Sequence, residues 1–162
     1  MRRKVTEFEV HRRHLPHWQA PGASYFLTFS LRRPAVVDLT DPRLAPIVIH
    51  ALRYRDGDWH WLYDYTVMPD HAHAILKPIV QDDGATSLSD ILQGVKSWSA
   101  HEMNRVLRRK GPLWQDETHN RILRDEAEYR EKANYILQNA HDWGLVDDPT
   151  EWPWWGKGNG PW

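Results

Sequence analysis

His71-Ala72-His73 sets two imidazoles two residues apart, directly after Met68-Pro69-Asp70. The stretch from His71 to Pro78 reads as a strand, where alternate side chains share a face. Both rings then stand side by side while Ala72 points the other way, into the core. Two adjacent imidazoles chelate one divalent cation. Two ligands are too few, so a third must come from elsewhere. Taken alone, the motif is better read as a pair of ordinary strand histidines on a solvated face, because a bare His-x-His recurs by chance. Tyr135 and Asn139 lie four residues apart on a helical stretch and so share one face. A phenolic oxygen is a nucleophile that can be held covalently to phosphorus. Its free pKa of about 10 means that it needs a polarised electrophile or help in losing its proton. A divalent metal on a phosphate oxygen supplies the first kind of help, and the Asn139 amide oxygen, one turn on, could join that metal. By themselves, however, Tyr135 reads as a core aromatic and Asn139 as a helix-end residue, and Tyr129 and the strand tyrosines are equally eligible.

The elements that must position these groups follow from periodicity and turn signals. Tyr25 to Leu31 is β-branched and aromatic after Pro21-Gly22 and reads as a strand. Arg43 to Arg55 reads as a helix with Leu44, Ile47, Val48, Ala51 and Leu52 on one face. Trp59 to Met68 reads as a strand with Trp59, Trp61, Tyr63 and Tyr65 on one face. After the His71–Pro78 strand and a polar loop over 81–85, Ser87 to Arg109 reads as a long amphipathic helix stopped by Gly111-Pro112. A short strand is expected within Leu113 to Ile122, then a last helix from Asp125 to Trp143 with Gly144 as its stop. This order predicts an α+β fold, a ferredoxin-like βαββαβ sandwich on an antiparallel sheet, with an extra C-terminal helix that carries Tyr135. The expected organisation is a basic arm over 1–24, a domain over 25–148 and a Trp/Gly/Pro-rich tail over 149–162.

With 162 residues the chain suits one domain with a real core. It has no cysteine, which excludes disulfides, thiolate zinc sites and Cys nucleophiles. No apolar run approaches the roughly 20 residues needed to span a bilayer. Charges near the N-terminus stand where a signal peptide needs an apolar stretch, so an intracellular protein is expected. The net charge of −1 hides segregation: residues 1–33 carry seven bases against two acids, and residues 125–151 carry eight acids against two bases. Arg12 and Arg13 in the arm, and Lys96, Arg105, Arg108 and Arg109 on or after the long helix, are candidate phosphate contacts. For any one of them, ordinary solvated charge is about as good a reading. Of the ten tryptophans, Trp152, Trp154 and Trp155 are read as caps on the core rather than as stacking platforms for unpaired bases.

Together these segments resemble the single-tyrosine HUH transposases, and most closely the REP-associated tyrosine transposases of bacteria. The resemblance is carried by Pro21-Gly-Ala-Ser-Tyr-Phe-Leu-Thr-Phe29, Tyr65-Thr-Val-Met-Pro-Asp-His-Ala-His73, Leu92-Gln-Gly-Val-Lys-Ser-Trp98, Trp114-Gln115, Asn120-Arg-Ile-Leu-Arg-Asp-Glu126, Tyr135-Ile-Leu-Gln-Asn139 and Gly144-Leu-Val146. It implies that His71 and His73 are paired metal ligands, that Asn139 is a polar third ligand and that Tyr135 is the nucleophile. It also implies a divalent metal, Mg²⁺ or Mn²⁺, and single-stranded or hairpin DNA as partner. The implied reaction is cleavage of single-stranded DNA to a 5′-phosphotyrosine and a 3′-hydroxyl, with rejoining by a 3′-hydroxyl and no ATP. A bacterial cytoplasmic, nucleoid-associated protein is the matching expectation, as monomer or homodimer. Three places depart from the family pattern: Ala72 is smaller than the usual middle residue, Asn120 stands where many relatives have an acid, and Ala140-His141 replaces Pro-Val. Two further readings stay open: a domesticated, non-catalytic DNA hairpin-binding protein on the same fold, and a small His-based hydrolase using metal-bound water.

Overall fold

The structure is a computed structural model that describes residues 22–161 and the backbone of residues 8–11. Arg12, Arg13 and Trp162 lie outside the described residues. Seven strands and helices form the frame: β2 (Ser24–Ser30), α1 (Ala45–Arg53), β3 (His60–Val67), β4 (His71–Pro78), α2 (Leu88–Leu107), β7 (Thr118–Leu123) and α3 (Glu126–Asp142). Around it lie β1 (Phe8–His11), a small hairpin of β5 (Val80–Gln81) and β6 (Gly84–Ala85) in the stretch read as a polar loop, and β8 (Trp155–Lys157). The main sheet runs β1-β7-β2-β4-β3-β8 with every neighbour antiparallel. Its four central strands with α1 and α2 are the expected ferredoxin-like arrangement, and α3 is the expected extra helix.

Local chemistry sets the helix ends. Ser87 caps α2 by accepting from the Asp90 amide, and Asp125 caps α3 by accepting from the Glu128 amide; each satisfies an amide the helix itself cannot. Helix α2 ends at Arg108 in the left-handed region (φ 52), and Gly144 (φ 74) follows α3.

Pairing assigns each side chain to a face. Leu27, Phe29, Ala72 and Ala74 face α1 and α2 in a core with Leu44, Val48, Leu52, Leu88, Leu92, Val95 and Met103. Phe26, Thr28, His71, His73 and Ile75 face the other way. There α3 covers them, with Ile136 fully buried against Tyr63, Ile75 and Leu123. Ala72 is fully buried, as period-two alternation predicts.

Strand β3 departs from the expected single aromatic face. Its register slips between Leu62 and Tyr65, and a bulge of this kind inserts a residue into the alternation. Trp61 and Tyr63 therefore join the α3 side while Leu62 and Tyr65 join the α1–α2 side. Trp59 precedes the strand and packs with the Tyr25–Leu76 cluster.

The tryptophan tail caps the core. Trp154 packs on the α1–α2 side and Trp155 on the α3 side, and the Trp152 indole N–H donates to the Val67 carbonyl at 3.1 Å. Strand β8 covers the edge that β3 would otherwise expose. Among the described residues no helix is long and apolar enough to cross a membrane.

Candidate active site

Strand alternation and one helix stripe bring the two sequence motifs together. The His71 and His73 rings are 4.7 Å apart between centroids, on the α3 face of β4. Across from them α3 presents Tyr135 and Asn139, and its cap residue Trp143 follows at the same four-residue spacing. The Tyr135 ring lies 5.4 Å from the His73 ring, edge to face. At the other end of the stripe the Trp143 ring lies 5.3 Å from the His71 ring. Asn139 stands between these two contacts, buried at 2 % exposure. Phe26 on β2 completes the floor, stacked on His73 at 5.3 Å and edge-on to Tyr135 at 5.9 Å.

The outer nitrogens of both imidazoles are held. His71 Nδ1–H donates to the Asp70 carboxylate at 2.8 Å. Arg33 holds the other Asp70 oxygen at 3.4 Å, and the Asp70 carbonyl accepts from the Leu31 amide. His73 Nδ1 pairs with the Thr28 hydroxyl at 2.8 Å, on the residue directly opposite it in β2. In the tautomer with the proton on Nδ1, each Nε2 keeps a lone pair. Such outer-nitrogen anchoring is what fixes the tautomer and orientation of metal-ligating histidines.

The inner atoms lack partners. His73 Nε2 and the Asn139 side-chain oxygen are both buried without a hydrogen bond. An orphaned buried acceptor costs roughly 1–3 kcal/mol, and here one belongs to the imidazole pair and the other to the helix that covers it. Burial, and after it the neighbouring His71, pushes the His73 pKa down to about 3. The ring is therefore neutral at ordinary pH, the form a cation requires. Two imidazole nitrogens and an amide oxygen are a donor set that a borderline or hard divalent ion accepts. Among the described residues no group of three or more His, Cys, Asp and Glu could hold a metal; the Asn139 amide oxygen is a buried, unpartnered acceptor on the facing helix.

Tyr135 is 44 % exposed and Trp143 54 % exposed, so the phenol edge of the site opens to solvent. Tyr129, the other tyrosine on α3, is engaged elsewhere: its hydroxyl donates to the buried Asp64 carboxylate at 2.5 Å. Burial and that carboxylate raise its pKa well above the usual phenol range. The two α3 tyrosines, equally eligible by sequence, are thereby separated.

The candidate phosphate contacts lie elsewhere. Lys96 donates to the Gln115 carbonyl at 2.6 Å and to the Thr118 hydroxyl at 3.2 Å, and burial lowers its pKa. Arg105 pairs with Glu102 at 2.9 Å, and Arg109 donates to the Asn104 amide oxygen at 2.6 Å. Arg108 is exposed at the helix end. All four lie on α2 or just past its C-terminal end, across the sheet from Tyr135. Asn120 pairs with Leu27 and is buried on that same far face, with neither side-chain atom bonded. It therefore touches neither the imidazoles nor the phenol. An aromatic cavity of about 370 Å³, lined by His50, Tyr54, Trp59 and Trp98, is also on the far side.

Sequence reasoning passed over Thr28, Phe26, Lys132 and Trp143. Lys132 and Trp143 were within reach by spacing, three residues before Tyr135 and eight after it. Thr28 was not, because its place beside His73 depends on strand register.

No family model matches the chain, and no curated protein does. Among solved structures, it is similar to a REP-associated tyrosine transposase bound to a REP hairpin, with a TM-score of 0.72 and 21 % identity over 89 % of this chain and 82 % of that one. It is also similar to a candidate transposase from Deinococcus radiodurans R1, with a TM-score of 0.50 and 20 % identity over 80 % of this chain and 95 % of the other. At these identities the shared property is architecture: the chain has the fold of the REP-associated tyrosine transposase.

Proposed function

We propose that this protein is a metal-dependent single-stranded DNA endonuclease and strand transferase that works at hairpin DNA through a 5′-phosphotyrosine intermediate. The observation that carries the reading is the Tyr135 ring 5.4 Å from the His73 ring, beside two buried, unpartnered acceptors, His73 Nε2 and Asn139 Oδ1. Hairpin DNA is taken as substrate because the transposase of like fold binds one.

His71, His73 and Asn139 would hold the divalent ion, Mg²⁺ or Mn²⁺. Bound there, it would act as a Lewis acid toward a phosphate oxygen. Tyr135 Oη attacks the scissile phosphorus; the O–P bond forms as the P–O3′ bond breaks, leaving a free 3′-hydroxyl. Bond energy stays in the phosphotyrosine, so an incoming 3′-hydroxyl reverses the step and joins strands without ATP. The exposed phenol edge leaves room for the strand, while Phe26 and Ile136 hold α3 against the sheet.

The test is incubation of single-stranded hairpin oligonucleotides with the protein and Mn²⁺, read by denaturing gel. A covalent protein–DNA adduct that vanishes in Tyr135→Phe is expected. Binding without cleavage would instead support the domesticated, non-catalytic protein. Cleavage that survives Tyr135→Phe would support hydrolysis by metal-bound water.

A further inference from the structure

Lys132 is an unexplained cation at this site. It lies three residues before Tyr135 on α3, which puts both on one helix face. Its ammonium sits 5.1 Å from the centroid of Phe26 and 5.6 Å from that of Tyr135. Its positive charge also reaches His73, where it is one of the influences that disfavour protonation. The side chain is half-buried.

The surroundings make its isolation informative. Residues 125–151 carry eight acids and only two bases, Arg130 and Lys132. Arg130 is paired with Glu126 at 2.7 Å, and Glu128 is engaged by Arg124 at 3.7 Å and by the Arg124 amide. Among the described residues Lys132 has neither an ion pair nor a hydrogen bond. Aromatic faces attract an ammonium but leave its three donors unused. A half-buried cation held in this way, next to a phenol and an imidazole pair, is set up to receive an anion from outside.

We propose that Lys132 is a catalytic residue that grips a non-bridging oxygen of the scissile phosphate and neutralises its charge while Tyr135 attacks. This rests on the reading of Tyr135 as the nucleophile. As Oη bonds to phosphorus and the P–O3′ bond breaks, charge spreads over the oxygens of the transferred group. A fixed ammonium stabilises that charge most where the site is shielded from water. The phenol proton leaves to solvent and the departing 3′-oxygen takes one from solvent, so the step balances without proton transfer through the lysine.

Single-turnover adduct formation on a hairpin oligonucleotide tests this, with wild type, Lys132→Met, Lys132→Gln, Lys132→Arg and Tyr135→Phe run side by side. Binding of the same DNA is measured in Tyr135→Phe with and without Lys132→Met, and folding is checked by thermal melting. Expected are a wild-type adduct absent in Tyr135→Phe and at least a 30-fold slower step in both Lys132→Met and Lys132→Gln. Lys132→Arg should recover most of that loss, and DNA affinity should change less than fivefold. A rate within threefold of wild type in Lys132→Met overturns the proposal alone. So does a loss of affinity as large as the loss of rate, which would make Lys132 a general phosphate contact. An absent wild-type adduct, or one that survives Tyr135→Phe, overturns the reading of Tyr135 and the proposal with it.

Discussion

The hydroxyl of Tyr129 donates to the Asp64 carboxylate at 2.5 Å, and this bond ties α3 to β3 six residues ahead of Tyr135. Asp64 is 1 % exposed, and its other described partner, Lys157, stands 3.6 Å away. The pair therefore fixes the N-terminal half of α3, and through it the height of the phenol above the histidines. Tyr129→Phe leaves a buried carboxylate short of a donor. It should cost about 1–3 kcal/mol in urea unfolding, and an unchanged midpoint would show that the bond contributes nothing.

The anchors of the imidazoles should matter to metal affinity as well as the imidazoles do. Thr28→Val and Asp70→Ala each remove an outer-nitrogen partner while leaving His71 and His73 in place. Titration calorimetry with Mn²⁺ should show weakening of about 10–100-fold for each, and near-complete loss for His73→Ala. Equal affinity in wild type and His73→Ala would remove the twin-imidazole site from consideration.

Acid should destabilise the fold through His60. This residue is 1 % exposed and donates from Nε2 to the Leu52 carbonyl at 2.9 Å, and burial lowers its pKa from the ordinary 6.5. The unfolded chain then binds more protons than the folded one below that value. His60's contribution is therefore complete above pH 6.5 and is lost as pH falls toward its folded-state pKa. His73, shifted the same way, adds to the slope. Unfolding free energies followed from about pH 7 to 5 should fall less steeply in His60→Asn than in wild type; parallel curves would contradict this.

Close approach of the tail to β3 makes Gly158 sensitive. A methyl group there would collide with the Leu62 carbonyl and Cβ and lie 2.8 Å from Asp56 Oδ2. Backbone cannot step aside as a flexible side chain can, so Gly158→Ala should cost about 1–3 kcal/mol. Hydrogen exchange of β8 amides should rise in the same variant. A neutral substitution would mean that the tail packs otherwise in solution.

Much of this architecture was readable from residues alone. Alternation placed His71 and His73 together and Ala72 beneath them, and four-residue spacing placed Tyr135 over Asn139. Ser87, Asp125 and Gly144 marked helix ends within a residue or two. The rest depends on pairings that lie far apart in the chain. The β3 bulge has no local signature, so Tyr63 and Tyr65 were assigned to one face when the slipped register divides them. Strand β8 spans Trp155–Lys157, three residues, too short to show a period. Lys96 resembled other surface bases until the fold brought the Gln115 carbonyl and the Thr118 hydroxyl to it.

Tyr135, Asn139 and the cap residue Trp143 follow a single stripe along α3, and this governs how the protein can tolerate length changes. An insertion or deletion of one residue between Asp125 and Tyr135 would turn that stripe by about 100°. Phenol, amide and indole would swing off the histidines as a unit, with no local repair available. The same change in the Gln81–Gly84 hairpin loop, on neither side of the site, would leave all three in phase.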